Sequence, residues 1–476
     1  MESLFELLDQ YTEKDIYPVH MPGHKRQSVG DMPSCFSRLD ITEIVDFDDL
    51  HNPQGILASC QIEAAKMYGA QESFYLVGGS TCGVLTAVSA ALPVGGHLLM
   101  ARNCHQSAYH AAYLRRLRIS YLYPKQELHQ PCEAILPEQV QASLDQTPGI
   151  LAVLLVSPTY EGRIADIEKI AHIVHQKGIP LIVDEAHGAH LGLWEGSLPN
   201  SCMSQADLVI HSVHKTLPSL TQTALLHING DLLDRNQIRR FLRIYQSSSP
   251  SYLLMAGIDN ALRTVRQEGK KRYKEFTDNW NQMLEQLHQM QYLTVPNAKS
   301  CKQDIGKLII STAKINLSAR RLYDMLLSDY GVMVEMCSER YILAMFTAWD
   351  DKVGFERVTN ALLALDHKFG ELSDSNSDIS YIVDSTIIST EDFLHPNMPL
   401  WEAWDLPFRE CLLSQSVGKI VADFVGLYPP GIPLLVPGER IRSRDIRMIQ
   451  YYLENGTLIR GVQHECEQAL IKIVQI

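Results

Sequence analysis

The chain lacks cysteines at metal-binding or disulfide spacing. Its ten cysteines (35, 60, 82, 104, 132, 202, 301, 337, 411 and 466) are scattered, and no two form a C-x-x-C pair. That argues against a zinc or disulfide framework and fits reduced, structural thiols in a cytoplasmic protein. Long apolar runs are also missing. The longest, such as Leu151-Ala-Val-Leu-Leu-Val156, suit a buried strand and fall short of a membrane span. The N-terminus, Met1-Glu-Ser-Leu-Phe-Glu-Leu-Leu-Asp-Gln10, is acidic and amphipathic, without the basic start and apolar core of a secretory signal. Positive charge is in deficit: the formal net charge is -13, which disfavours nucleic acid or an anionic membrane as the main partner. The basic cluster from Arg263 to Lys274 reads as the solvated face of a helix. There is no internal repeat and no low-complexity tract.

What is present describes a globular protein. With 476 residues, 46% apolar and 20% charged, the chain is too long for one small core, and two or three domains are expected. Between residues 70 and 230 short β-rich runs alternate with helical stretches. The strand candidates are 73–77, 97–100, 119–123, 151–156, 180–184, 208–211 and 224–228, and a helix is expected from Asp166 to Lys177. This alternation implies an α/β fold with a mainly parallel sheet covered on both faces, whose ligands sit at the carboxyl ends of the strands. Residues 232–292 read as largely helical. A smaller α/β segment is expected over 293–367, with strands at 307–310 and 341–345. The polar run Ser373-Asp-Ser-Asn-Ser-Asp378 reads as a linker or exposed loop. Beyond it, Leu427-Tyr-Pro-Pro-Gly-Ile-Pro433 and Val436-Pro-Gly-Glu-Arg440 suggest an ordered loop rather than helix or strand.

The suspicious polar residues cluster at strand ends. In His211-Ser-Val-His-Lys-Thr-Leu-Pro218, Lys215 ends an apolar run beside His214 and close to Ser212. Burial there would lower the pKa of its ammonium and leave a nucleophile able to form a Schiff base, with Ser212 and His214 donating to an anion beside it. The alternative is a solvated surface lysine. Leu76-Val-Gly-Gly-Ser-Thr-Cys-Gly83 is either a phosphate cup, completed by Ser80 and Thr81, or an N-capped βα turn; it lacks a P-loop lysine and dinucleotide-fingerprint spacing. Asp184 ends a strand and opens Asp184-Glu-Ala-His-Gly-Ala-His190. A buried carboxylate there needs a cation or donor, which is the ring N–H in a pyridoxal phosphate site and an ion pair or capped turn otherwise. His187 could reach the ring hydroxyl. His187 with His190 would suggest a metal pair, but no third ligand sits at a recognisable spacing, so no metal is expected. His105, in Arg102-Asn-Cys-His-Gln-Ser107, could stack on a ring and act as acid or base, or be a structural histidine.

The order of these parts resembles the aspartate-aminotransferase-type pyridoxal enzymes. More narrowly, the chain resembles the Orn/Lys/Arg decarboxylase family. The resemblance is carried by His20-Met-Pro-Gly-His-Lys25, Asp40-Ile-Thr-Glu43, Asp48-Asp-Leu-His-Asn-Pro53, Gly79-Ser-Thr81, Arg102-Asn-Cys-His105, Asp184-Glu-Ala-His187, Ser212-Val-His-Lys215, Ser247-Ser-Ser-Pro-Ser-Tyr252, Tyr428-Pro-Pro-Gly-Ile-Pro433 and Pro437-Gly-Glu439. It implies a PLP-dependent transferase-like large domain with a seven-stranded sheet (61–292), a smaller α/β domain (293–370) and a C-terminal α+β unit (371–476). The N-terminal segment, 1–60, is expected to pack on the dimer or active site.

The resemblance also implies roles. Lys215 carries pyridoxal 5'-phosphate, Asp184 holds the ring nitrogen, and His105 stacks over the ring. Ser80, Thr81, Ser212 and His214 hold the phosphate, and Ser247 reaches it from a neighbouring subunit of a homodimer. His187 stands where some larger members carry Trp, so its role at the ring hydroxyl stays open. The short N-terminal part is not expected to carry the receiver-like wing of the large inducible members. The implied reaction is decarboxylation of a basic L-amino acid. L-Arginine, giving agmatine for polyamine biosynthesis, is the first expectation; lysine giving cadaverine and ornithine giving putrescine are alternatives. Glu439 is the expected acid at the substrate's basic end, with Glu43 and Asp46 as weaker candidates. Another pyridoxal enzyme of the same fold, such as an aminotransferase or lyase, or a non-catalytic homologue, is the more distant alternative.

Overall fold

The computed structural model describes residues 3–14, 17–27, 34–125, 130–296, 302–315, 317–373, 397–465 and 468–475. Most of the run expected to be a linker, Asp374 to Asp378, lies outside the described residues, whereas Ser373 ends the helix Lys352–Ser373. The chain divides into two compact units, Met1–Ala91 with Ile167–Lys274, and Leu92–Asp166 with Glu275–Ile476.

Seven strands form a sheet in the order Glu72–Leu76, Ala224–Ile228, Leu208–Ser212, Leu181–Asp184, Ala152–Val156, His97–Ala101 and Arg118–Leu122. The first four belong to the first unit. Leu181–Asp184 pairs parallel with Leu208–Ser212, with Asp184 opposite Ile210. Ala224–Ile228 runs antiparallel to both of its neighbours, so Ala224 faces Ser212 on one side and Leu76 on the other. Its direction follows from its connection: only a four-residue helix, Val213–Thr216, and a short loop separate it from Leu208–Ser212, too little for a parallel crossover. The carboxyl ends at Leu76, Asp184 and Ser212 therefore lie along one edge, together with the amino end at Ala224.

Burial explains the uninterrupted apolar character of these strands. Leu181–Asp184 and Leu208–Ser212 are buried at every position, as expected of strands covered on both faces. The helix Ile167–Gln176 buries Ile167, Ile170, Ala171 and Val174, the i, i+3, i+4, i+7 stripe of an amphipathic helix. The helix Gly79–Ala91 lies close to the sheet because Gly83 has no side chain: a Cβ there would stand 2.8 Å from Leu76 Cδ1 and 2.9 Å from Ile210 Cγ2.

In the second unit His97–Ala101 pairs parallel with both Arg118–Leu122 and Ala152–Val156. The sheet ordered Lys307–Ser311, Tyr341–Met345, Met336–Cys337 is antiparallel. Toward the C-terminus, Phe408–Leu412, Gln468–Val474 and Val462–Glu465 form one antiparallel sheet, and Pro433–Leu435, Val425–Leu427 and Ile459–Arg460 another. Residues of both, with Ile446 and Ile449 of the helix Ser443–Glu454, bury one apolar cluster. The proline-rich stretch expected to be loop throughout is thus partly strand. Val425–Leu427 and Pro433–Leu435 pair across Tyr428–Ile432, and Pro433 is tolerated because it opens an edge strand.

Candidate active site

Lys215 sits on the Val213–Thr216 helix directly after its strand, half-buried. Its Nζ is 3.1 Å from His187 Nε2. The two nitrogens are within hydrogen-bond distance, with the direction set by the histidine tautomer. Asp184, in the adjacent strand, is almost fully buried and accepts from the Ala186 amide at 3.2 Å. Burial raises its carboxyl above the usual carboxylate range, while the Lys215 charge and that amide pull it back. Lys215, His187 and Asp184 thus form one electrostatic group.

Two hydroxyls flank this lysine without satisfaction. Ser212 Oγ and Thr216 Oγ1 are buried and have no hydrogen-bond partner among the described residues. Such groups cost about 1–3 kcal/mol each when nothing accepts from them. His214 donates Nδ1–H to the Thr223 carbonyl at 2.8 Å. Burial lowers its pKa, with the Lys215 charge adding and the Thr223 bond opposing. An anion at its Nε2 would oppose that shift. Ser80 and Thr81 stand in the first turn of Gly79–Ala91, half-buried and exposed respectively. Gly79 precedes them at φ +71, a conformation glycine adopts without strain. Unpaired amides at a helix start favour an anion. A cation, a buried carboxylate, idle hydroxyls and a helix start along one strand edge fit an anionic, carbonyl-bearing cofactor.

Three expected residues stand apart from this cluster in their hydrogen bonding. Ser247 is exposed; its Oγ contacts Ser249, and its carbonyl accepts from His51 Nε2 at 2.8 Å. Glu43 is half-buried and accepts from Thr42 Oγ1. Asp46 is exposed. His105 and Glu439 belong to the second unit. His105 caps the helix Gln106–Leu114: its Nδ1 accepts from the Ser107 amide at 3.2 Å, so the ring proton is on Nε2. Glu439 pairs with Arg102 through two contacts of 3.0 Å.

The residues alone did not reveal Thr216, Arg102 or a buried line of hydrogen bonds beneath the site. Glu185 accepts from the Ser201 amide, from Ser201 Oγ at 2.7 Å and from His211 Nε2 at 2.7 Å. His211 Nδ1 is 3.0 Å from His227 Nε2, and His227 Nδ1 is 2.6 Å from Ser73 Oγ. Ser73, Glu185, His211 and His227 are all buried. Tyr68 packs over both imidazoles at 4.7 Å and donates to the Ala189 carbonyl. Burial holds both histidines below the ordinary imidazole range, His211 at about 3 with His190 contributing. With both neutral and Glu185 charged, the donors run one way, from Ser73 through His227 and His211 to Glu185. The signal for Arg102 was its position: an arginine directly after a buried strand needs a partner.

Among the described residues no cluster of three or more metal-ligating side chains occurs, and no helix is long and apolar enough to cross a membrane. The arrangement is that of an enzyme that works from the strand ends of an α/β sheet. The chain belongs to the Orn/Lys/Arg decarboxylase family: the model of the family's major domain matches residues 2–312, and that of its C-terminal domain matches residues 403–462. An arginine decarboxylase of Bacillus subtilis is 29% identical over 480 residues, covering 96% of this chain and 95% of the relative. A lysine decarboxylase of Hafnia alvei is 21% identical over 555 residues, covering 95% of this chain and 74% of its own. The crystal structure of Francisella novicida lysine decarboxylase LdcF superposes with a TM-score of 0.83 at 16% identity, covering 99% of this chain and 81% of that one.

Proposed function

We propose that this chain uses pyridoxal 5'-phosphate to decarboxylate L-arginine, releasing agmatine and CO2. The observation that carries the cofactor reading is the Lys215–His187–Asp184 group with two idle buried hydroxyls beside it. Arginine is favoured over lysine because the relative named for arginine is 29% identical and the one named for lysine 21%.

When bound, the cofactor supplies a carbonyl that takes amines and a ring that accepts electrons from a breaking bond. Lys215 would carry it on Nζ. Asp184, whose carboxyl burial raises and the Lys215 charge pulls back, would hold a proton on the ring nitrogen. Ser212, His214, Ser80 and Thr81 would hold the phosphate, and His187 would donate to or accept from the ring hydroxyl. His105 would lie over the ring, and either its Nε2–H or Lys215 Nζ would return a proton to the substrate Cα. Ser247, with its exposed hydroxyl, would serve the site of a second subunit in a homodimer. The scattered thiols suit a cytoplasmic location.

The deciding experiment measures CO2 release from arginine, lysine and ornithine side by side, with the visible absorbance of the holoenzyme recorded before and after borohydride. Arginine should lead, and Lys215→Ala should abolish both absorbance and turnover. Preference for lysine or ornithine would overturn the substrate assignment. Absence of any cofactor absorbance would overturn the enzyme reading.

A further inference from the structure

Glu439 is the expected acid at the substrate's basic end, yet its carboxylate is fully engaged inside the protein. Oε1 accepts from Arg102 Nε at 3.0 Å, and Oε2 accepts from Arg102 Nη2 at 3.0 Å and from the Val436 amide at 2.9 Å. This is the planar fork-to-fork geometry of a strong charge-assisted pair. Arg102 is equally committed. Nη1 donates to Tyr109 Oη at 3.1 Å and to the Pro433 carbonyl at 2.8 Å, and Nη2 also donates to the Leu434 carbonyl at 3.1 Å. Five N–H groups thus meet five acceptors, which is all a guanidinium has. Tyr109 Oη in turn donates to the Arg102 carbonyl, and the rings of Tyr109 and Tyr121 lie 5.7 Å from the guanidinium. The side chains of Arg102 and Glu439 are only 13% and 17% exposed. A substrate guanidinium could reach Glu439 only by displacing an identical group that is already bound better.

The clamp ends on His105. Arg102 and Glu439 together grip the backbone from Pro433 to Val436, and two residues before that grip Gly431 meets the His105 segment. The Gly431 carbonyl accepts from the Gln106 amide at 3.0 Å. A Cβ on Gly431 would stand 3.0 Å from both Cδ2 and Nε2 of His105. The His105 ring therefore rests against bare backbone, and its Nδ1 is fixed from the other side by the Ser107 amide.

We infer that Glu439 is a positioning residue, acting through Arg102 to hold the 431–436 backbone against His105, and that it does not read the substrate's side chain. This deepens the proposed function and rests on it for the role of His105. The test uses the holoenzyme carrying Glu439→Gln, Arg102→Gln or both, with Glu439→Asp as a milder variant should the others fold poorly. Hydrogen exchange is followed in peptides covering residues 103–109 and 432–438, and kcat and KM are measured with arginine. Each single variant should speed exchange in both peptides. Each should lower kcat on the order of 100-fold, the effect of misplacing a reacting group by about 1 Å, with KM changed by less than about threefold. The double variant should be no worse than either single one. A large rise in KM for Glu439→Gln with exchange unchanged would overturn the inference and return Glu439 to the substrate. Should the wild type decarboxylate none of the amino acids offered, the proposed function falls, and exchange alone still decides whether Glu439 holds this backbone.

Discussion

The line from Ser73 to Glu185 predicts an asymmetry between two substitutions of one residue. In Glu185→Leu the carboxylate disappears, leaving the His211 Nε2–H and the Ser201 amide buried without acceptors. At about 1–3 kcal/mol for each orphan, with Ser201 Oγ adding to it, the loss should be about 3–5 kcal/mol. Glu185→Gln offers an escape. Its amide oxygen keeps Ser201, and its NH2 donates to His211 Nε2 if that nitrogen becomes an acceptor. The line must then reverse: His211 donates through Nδ1, His227 receives on Nε2 and donates through Nδ1 to Ser73 Oγ. What is lost is one hydroxyl donor at Ser73 and the charge assistance at Glu185. What is removed is the cost of burying that charge, so the net loss is about 1 kcal/mol. Thermal melts of both variants should separate them, at roughly 2–4 °C per kcal/mol for a cooperative unit of 150–250 residues. Nitrogen NMR of the imidazoles should show His211 changing from the Nε2–H to the Nδ1–H tautomer in Glu185→Gln only. Equal destabilisation by Gln and Leu, or an unchanged tautomer, would refute the one-way line.

Acid should destabilise the first unit through the same histidines. Their folded pKa values lie below the unfolded value of about 6.5, so the unfolded chain binds more protons. Stability should fall as pH drops from about 6.5 toward about 3, by roughly 1.4 kcal/mol per pH unit for each histidine; unfolding midpoints across that range, compared with His227→Phe, check this. Ser212→Ala should leave the melting temperature of the cofactor-free protein unchanged or higher, since its hydroxyl is unpaired. Equilibrium titration with pyridoxal phosphate should show affinity weakened by about tenfold, one hydrogen bond to a charged group. Gly83→Ala should cost about 1–3 kcal/mol, because its Cβ would collide with Leu76 and Ile210; a melt within 1 °C of wild type, well under the roughly 2 °C that the smallest such loss would give, would show that the helix simply shifts.

The strands of the large sheet were legible within a residue or two, because both faces are covered and each reads as a short apolar run between turns. Lys215 and Asp184 stood out for a related reason: a charge that ends an apolar strand has few places to go. Hydrogen-bond partners drawn from distant segments were not legible. Glu185, His211, His227 and Ser73 come from four separate stretches, and Glu439 meets Arg102 across 337 positions of sequence. Nothing local marks one glutamate as bound and another as available. The strand pairing inside the proline-rich stretch was hidden because its prolines locally argue against any ladder, and only the edge position makes Pro433 acceptable.

The antiparallel strand Ala224–Ile228 has a mechanical consequence for the lysine before it. A parallel neighbour would send the chain from Ser212 across the whole sheet before it returned. Here the chain leaves at Ser212 and re-enters at Ala224, directly opposite. The segment bearing Lys215 is a short arch with both footings in the same pair of strands, closed at its base by the Val213 amide on the Thr223 carbonyl, while the Leu217 amide bonds back to the Val213 carbonyl. Lengthening the arch at residues 218–221 should loosen it like a slackened string, whereas the same insertion between most strands would pass unnoticed. An amine that must let go of one partner and take another works best from such a fixed perch.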